Sequence, residues 1–400
     1  MEWLAIARDA DVGTRPVAVV ADGVPLVVLR PREQAAPVVF ADRCPHRLVP
    51  LSAATLENGR LRCAYHGWEF DAAGTCVDLP SQEGHAPPRA NLPAGPRVRV
   101  ADGTVFVSAE DVSRTSVDPS GLLTNEEPAL RRAWHPVALA TELPCDVTLL
   151  GQTYSLREGD GVLFVDPEPW AVTERWGLVW VAPEEPLTEL FPDADADDEA
   201  YVGAWLPPAR TTVSAGIVAD NFLDVAHFPF VHAKTFGAAE EKLVPRYEVR
   251  TEPDGCRSIQ EQWFDNPEDP GVAAGLRPLR QRRRATYVYR APFQLLLRLE
   301  ELDAGAVKTI LFFAQPETLT STRIYTKMLL HGIGGVADPP PEAVAREVAF
   351  EEAVLAEDLE LQRAMRLPGL PLLMRDELHV RADLLGVTLR RALADFVAQP

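Results

Sequence analysis

Cys44-Pro45-His46-Arg47 and Cys63-Ala64-Tyr65-His66-Gly67-Trp68 decide how the rest of the chain is read. Together they offer two thiolates and two imidazoles, as one C-x-H pair and one C-x-x-H pair on two short loops. Two cysteines can hold one iron of a two-iron, two-sulfide cluster and two histidines the other. Replacing two thiolates by neutral imidazoles raises the potential well above that of an all-cysteine cluster. The same ligand types also suit zinc. The flanking residues argue for the cluster: Pro45 and Gly67 keep the loops tight, and Tyr65 and Trp68 can shield the site from water. An electron-transfer cluster needs an acceptor, so a second redox centre is expected elsewhere.

The 400 residues allow two or three domains with ample core. Hydrophobic content is ordinary at 46%, and no run of eighteen apolar residues suggests a membrane span. Met1-Glu2-Trp3-Leu4 lacks the basic and apolar regions of a signal peptide, which points to a cytoplasmic protein. The net charge of −20 disfavours nucleic acid or an anionic membrane as a partner. Beyond Cys44 and Cys63, the well-separated Cys76, Cys145 and Cys256 suggest no disulfide framework.

Residues 1–110 read as a small all-β domain of short β-branched runs and Asp/Gly turns, followed by a linker over 111–128 that includes Ser113, Ser116, Pro119 and Gly121. Residues 129–190 echo the first domain. Trp134-His135-Pro136-Val137-Ala138 opens like Trp3-Leu4-Ala5-Ile6-Ala7, Val147 to Arg157 rhymes with Val19 to Arg30, and Trp170 to Val181 with Arg97 to Val107. Both cluster loops are missing from this echo, leaving only His135 and Cys145, at the wrong places. The acidic run Asp193 to Glu199 reads as a loop, and residues 198–400 form the last unit. There, 200–217 and 285–330 hold strand-like stretches, Asn266 to Arg284 reads as a loop with a basic end, and a helix runs from about Pro341 to Arg366. The tail Glu377 to Asp383 reads as a strand and then a short helix through Arg391.

The acceptor is sought in Asp220-Asn221-Phe222-Leu223-Asp224-Val225-Ala226-His227-Phe228-Pro229-Phe230-Val231-His232. Asn221, Asp224 and His227 lie three apart and so share one helix face. Pro229 is expected to break that helix and let His232 swing back beside His227. Two histidines and a carboxylate make a facial triad for Fe(II), with open positions for oxygen; the plainer reading is a pair of satisfied core histidines. The long helix offers Glu351, Glu352, Glu357, Asp358 and Glu360 as the third ligand. Asp358 lies on the apolar stripe of Val354, Leu355, Leu361 and Met365, whereas Glu360 points outward. A carboxylate aimed into a core is costly unless paired or metal-bound. Asp358 is therefore the expected ligand and Glu357 the alternative.

Cys-Pro-His-Arg and Cys-x-Tyr-His-Gly-Trp resemble the cluster loops of the Rieske non-haem iron oxygenases. The stretch from Asn221 to His232 resembles the Asn-x-x-Asp-x-x-His-x4-His motif of their catalytic domain, and Glu357 to Gln362 is similar to their Asp-containing helix. The tail Glu377 to Asp383 and the overall layout look closest to the vanillate O-demethylase-like branch. The resemblance implies an α+β fold: all-β Rieske domain(s) followed by a catalytic domain with a curved antiparallel sheet covered by helices. It implies a Rieske [2Fe-2S] cluster on Cys44, His46, Cys63 and His66, and a mononuclear Fe(II) on His227, His232 and Asp358. Asp224 would link the iron site to a cluster through the histidines, and Asn221 would sit near the iron.

The implied activity is O2-dependent hydroxylation, demethylation or other oxidation of a hydrophobic, aromatic small molecule, by monooxygenation rather than dihydroxylation. Electrons would come from NAD(P)H through a separate ferredoxin or flavin reductase, since no G-x-G-x-x-G follows a strand here. A homotrimer is implied, in which a cluster serves the neighbouring subunit's iron. One feature departs from the family pattern of one Rieske domain and one catalytic domain: residues 129–190 look like a second, degenerate Rieske domain. That leaves open where the live cluster sits relative to the iron. The alternatives are a Rieske electron carrier with an inactive oxygenase-like domain, or a zinc-stabilised binding module. Candidate pocket residues are Phe222, Phe228, Phe230, Phe293, Leu311 and Phe313, with Glu300, Glu301 and Arg323 available to orient a polar group.

Overall fold

Two three-stranded antiparallel sheets build the N-terminal unit: Trp3–Arg8, Thr104–Ser108 and Val98–Ala101 in one, Val17–Ala21, Val24–Leu29 and Val38–Ala41 in the other. Their β-branched inner faces meet in a core of Val28, Val39, Val105 and Val107. Between Val38–Ala41 and Val98–Ala101 the chain leaves this sandwich to form a small four-stranded sheet, Thr55–Glu57, Arg60–Arg62, Glu69–Phe70 and Cys76–Asp78. One cluster loop precedes that sheet and the other joins its second and third strands. The structure, a computed structural model, describes residues 2–115, 120–190, 192–193, 195–237, 240–266 and 269–399.

Residues 135–182 repeat the sandwich without its middle. His135–Leu139 pairs with Leu178–Ala182 and that strand with Ala171–Arg175, while Cys145–Leu149, Gln152–Gly159 and Val162–Asp166 form the second sheet. The correspondence extends to irregularities. The first strand is bulged between Ala5 and Ala7, and its counterpart between Pro136 and Ala138. The amide of Asp9 donates to Gly103 O at 2.8 Å, and that of Ala140 to Gly177 O at 2.9 Å. The turns Asp22-Gly23 and Asp102-Gly103 have φ values of 48°, 77°, 49° and 71°; Leu150-Gly151 and Trp176-Gly177 match them at 52°, 77°, 60° and 82°. Positive φ at both central residues is what a two-residue hairpin with a type I′ turn requires.

His135 and Cys145 lie on strands of different sheets in this repeat. His135 is buried, and its Nε2 donates to Leu130 O at 2.7 Å. Burial holds its pKa down at about 4, against an ordinary 6.5. The unfolded chain therefore binds a proton that the folded chain refuses between those values. Stability from this group is full above pH 6.5 and is lost as pH falls toward 4, by an amount on the order of 3 kcal/mol. Urea midpoints across that range should fall less steeply in His135→Gln than in the wild type; parallel curves would refute the assignment.

The catalytic unit is an eight-stranded antiparallel sheet in the order Val202–Trp205, Ser321–His331, Val307–Thr318, Gln294–Glu301, Arg280–Arg290, Gly255–Asp265 and Arg250–Glu252, with Ala209–Thr211 also pairing on Ser321–His331. One of its inner strands, Val307–Thr318, is buried almost throughout because both faces are covered. On one face Leu296, Leu311, Phe313 and Tyr325 pack against Trp180 of the repeat. On the other, Tyr287, Leu295, Phe312 and Ala314 pack against the helices Ala215–Leu223 and Leu384–Val397. The long helix Pro341–Gln362 starts on Pro341, which has no N–H to lose at that position.

Several local expectations change. Within 111–128 the helix Ala109–Thr115 ends and Leu122–Thr124 pairs with Gly369–Pro371, so this stretch is tied down; Ser116 and Pro119 lie outside the described residues. The expected loops Asp193 to Glu199 and Asn266 to Arg284 contain Ala194, Pro267 and Glu268, which also lie outside the described residues. Arg280 to Arg284 is strand, its charges paired across to Asp265, Glu301 and Glu261 on neighbouring strands. The tail makes no strand at Glu377 to Val380, and the last helix is longer than expected, Leu384–Val397. Among the described residues no helix is long and apolar enough to cross a membrane.

Candidate metal centres

The helix Ala215–Leu223 starts on Ser214, whose side chain accepts from Ile217 N, and ends earlier than the proline rule suggests. Asp224 is already extended (φ −78°, ψ 122°), because its Oδ1 accepts from Ala226 N at 2.7 Å and replaces the next helical bond. A new short helix, Phe228–Val231, begins after His227 with Pro229 in its first turn. Pro229 thus starts a helix rather than ending one. The turn between the helices brings His227 and His232 together, with Nε2 atoms 3.0 Å apart.

Asp358 reaches in from the long helix, its Oδ1 3.5 Å from both Nε2 atoms. One atom from each of His227, His232 and Asp358 falls within a 4.8 Å span, an arrangement able to hold one metal ion. Two ring nitrogens in van der Waals contact, each turned toward one carboxylate oxygen, make poor hydrogen-bond partners for each other and good ligands for a cation. The outer nitrogens have carboxylate partners. His232 Nδ1 donates to Glu357 at 3.1 Å, and His227 Nδ1 faces Asp224 Oδ1 at 3.7 Å, an ion-pair distance rather than a hydrogen bond. Burial opposes charge on His227, yet the Asp224 and Asp358 carboxylates overrule it and lift its pKa to about 9. A metal taking this site must displace that proton.

Asn221 joins three groups: its Nδ2 donates to Asp358 Oδ1 and to Tyr65 Oη, each at 3.2 Å, and its Oδ1 accepts from Gln362 at 2.7 Å. Glu357, weighed in the sequence as an alternative ligand, instead holds His232 and Thr235, the latter at 2.7 Å. Glu357→Ala should weaken mononuclear metal binding about 10- to 100-fold while leaving cluster absorbance intact. Complete metal loss equal to that of Asp358→Ala would make Glu357 a ligand after all.

The cluster loops face this site. Cys44, His46, Cys63 and His66 are all buried. Burial and the neighbouring Cys63 push the Cys44 thiol up, whereas a hydrogen bond from Cys44 brings Cys63 down to about 7. His46 stacks on Trp68, with ring centroids 4.5 Å apart. Its Nε2 lies 3.0 Å from both oxygens of Asp383, and its Nδ1 is buried with no partner. His66 Nε2 donates to Asp224 Oδ2 at 2.7 Å. Two sulfur donors and two imidazoles, with an orphaned Nδ1, fit a cluster bound through the inner nitrogens. Asp224 therefore stands between His66 and His227; burial opposes its charge, but the two imidazoles hold its pKa well below the usual carboxylate range.

Asp383 and Gln362 were not singled out by the sequence, because their partners lie 337 and 141 residues away along the chain. Nor was the buried network in which Arg47 sits beside Asp220, Glu377 and Asp383, with Arg390 paired to Asp220 and Glu377. The pocket candidates divide. Phe228 lies beside His227, and Phe222 stacks on Phe312 beneath the helix. Phe230 packs on Gly67 of the cluster loop, and Leu311 and Phe313 face the repeat. Phe293 is core, Glu300 and Glu301 pair with Arg284, Arg298 and Arg283, and Arg323 pairs with Glu142. Phe236 joins Phe228 as an aromatic neighbour of His232, at 4.9 Å, and Phe350 lies beyond it against Phe236.

Residues 2–94 match the Rieske [2Fe-2S] domain, and residues 212–399 the vanillate O-demethylase oxygenase C-terminal domain. A probable methylxanthine N7-demethylase of Pseudomonas sp. (strain TJI-51) is 30% identical over 277 residues, 66% of this chain and 93% of that protein. Flavonoid 8-hydroxylase 2 of Ocimum basilicum is 43% identical over 88 residues, and there the match spans only 22% of this chain and 17% of that protein. The caffeine-bound NdmA of Pseudomonas putida CBB5 is 19% identical with a TM-score of 0.45, over 97% of this chain and 88% of that one. With both domains matched in order, and a relative matched along nearly its whole length, the chain belongs to the Rieske non-haem iron oxygenases, which carry a Rieske [2Fe-2S] cluster and a mononuclear iron.

Proposed function

We propose that the chain is an oxygenase component that oxidises a hydrophobic, aromatic small molecule by monooxygenation, as a hydroxylase or demethylase. The observation that carries this reading is the set of His227, His232 and Asp358 ligand atoms within one 4.8 Å span, next to Asp224 and His66. Cys44, His46, Cys63 and His66 would hold the cluster, and His227, His232 and Asp358 the iron. Bound there, the two groups supply single electrons and activate O2: two electrons and two protons turn one oxygen atom into water while the other enters a substrate C–H bond.

The chain's own residues do the positioning. Glu357 and Asp224 fix the outer nitrogens of the two histidines, and Asn221 aims Asp358. Phe228 and Phe236 offer an apolar wall beside His232, suited to a flat aromatic ring. That one relative is named as a demethylase supports monooxygenation over dihydroxylation. Family components of this kind work with a separate electron donor, and we assign this chain a ferredoxin or flavin reductase fed by NAD(P)H. Residues 129–190 are taken as a Rieske-like unit that binds no cluster.

The test is turnover of a panel of O- and N-methylated aromatics with a reductase and NADH. Formaldehyde in step with substrate loss is expected for a demethylated compound, and an alcohol or phenol for a hydroxylated one. Dihydrodiols would overturn monooxygenation. NADH consumption with no product across the panel, from protein lacking mononuclear iron, would move the inactive electron-carrier reading forward.

A further inference from the structure

Both histidines of the cluster loops spend their outer nitrogens on carboxylates of the same chain. His66 Nε2 bonds Asp224 and His46 Nε2 bonds Asp383, and all four side chains are at most 5% exposed. The surroundings are equally closed. Leu378 N donates to Pro45 O at 2.8 Å, and Asn221 reaches Tyr65 Oη. Gly67, at φ +66°, lies so close under Phe230 that a Cβ there would sit 2.2 Å from its ring. Arg47, next to His46, is enclosed by Asp220, Glu377 and Asp383. An imidazole N–H donates one good hydrogen bond, so neither ring has a donor left for a carboxylate of a second copy.

The route of the chain agrees. The repeat at 135–182 covers the opposite face of the catalytic sheet and has no cluster loops. The segment leading to it is pinned where Leu122–Thr124 pairs with Gly369–Pro371, which leaves the N-terminal unit on the helix side, against the triad.

We propose that the bridge between the two metal sites is closed within one polypeptide: Asp224 joins His66 and His227 of its own chain, and no residue of another copy stands between them. This rests on the oxygenase reading only for what the bridge is used for. A homotrimer is compatible with it, but the bridge does not require one.

The test reads the cluster's midpoint potential, which needs neither substrate nor mononuclear iron. Asp224→Asn removes a negative charge from His66 and should raise the potential of its own cluster. Asp224→Asn chains are then co-expressed with Cys63→Ser chains, which keep Asp224 but assemble no cluster, and doubly tagged assemblies are isolated. An intrachain bridge gives a single potential, the raised one. A second population at the wild-type potential would overturn the proposal, because it could only arise from Asp224 of the partner chain. If no mixed assembly forms, wild-type protein shown by sedimentation to be single chains should keep its unshifted potential. A rise toward the Asp224→Asn value on dilution would equally overturn it. Failure of the oxygenase reading shows separately, as absent turnover with the potentials behaving as expected.

Discussion

Asp358→Ala should keep its red-brown cluster and lose its mononuclear iron, going from roughly three irons and two sulfides per chain to about two and two. The two irons depend on different parts of the fold. Cys44, His46, Cys63 and His66 lie on loops of the N-terminal unit, whose sandwich has a core of its own although Leu361 of the long helix packs among the residues around those loops, whereas Asp358 comes from the long helix and supplies the only carboxylate within the triad. Without it, His227 and His232 face each other with no anion to balance a divalent cation, and Asn221 loses an acceptor at 3.2 Å. Side-chain removal here should lower turnover by more than about 100-fold, beyond the range usual for outer-shell partners. Iron and acid-labile sulfide assays with visible absorbance decide the matter. Loss of colour along with iron would mean that the two sites fold together; full retention of iron would remove Asp358 from the ligand set.

What was legible in the sequence follows from how far each signal reaches. The cluster loops were legible because both pairs are local and their ligand chemistry is distinctive. That Asp358 turns inward toward both histidines was legible because its neighbours at helical spacing fix which way it points; Glu357, one residue before it, was harder to place because it also turns inward, to the outer nitrogen of His232. The end of the site helix was misplaced because a proline rule was applied where an aspartate's own side chain competes for the backbone. Arg280 to Arg284 read as the basic end of a loop because the strands it pairs with, and the carboxylates they carry, lie apart from it along the chain, which a linear reading cannot see. The same limit hid Asp383, which becomes meaningful only when the fold sets it on His46. The rhyme between the two β units was visible in composition, but its bulge and turn geometry needed coordinates.

Asp224→Asn should leave both metal sites filled and still cost at least about 100-fold in turnover. The near-isosteric change is severe because of how Asp224 is used. Oδ2 accepts from His66, while Oδ1 accepts from Ala226 N and faces His227 Nδ1. Both oxygens therefore act as acceptors toward N–H groups. An asparagine has one oxygen and one NH2. If its oxygen serves His66, the NH2 confronts the amide of Ala226 and the ring of His227; if turned round, it confronts His66. Either way two donors meet in a buried place, where an unmet donor costs on the order of 1–3 kcal/mol. The negative charge that both imidazoles hold in place is also gone. The expected signature is specific: iron and sulfide contents of the wild type, a cluster that reduces normally, and slow reoxidation of that cluster by O2 in the presence of substrate. Asp224→Glu, which keeps the charge but lengthens the side chain, should recover the potential more fully than the rate. If Asp224→Asn turned over like the wild type, the contact between the two histidines would be a packing feature, and the path between the metals would have to run elsewhere, with Tyr65 and Asn221 as the next connection between the cluster loop and the triad.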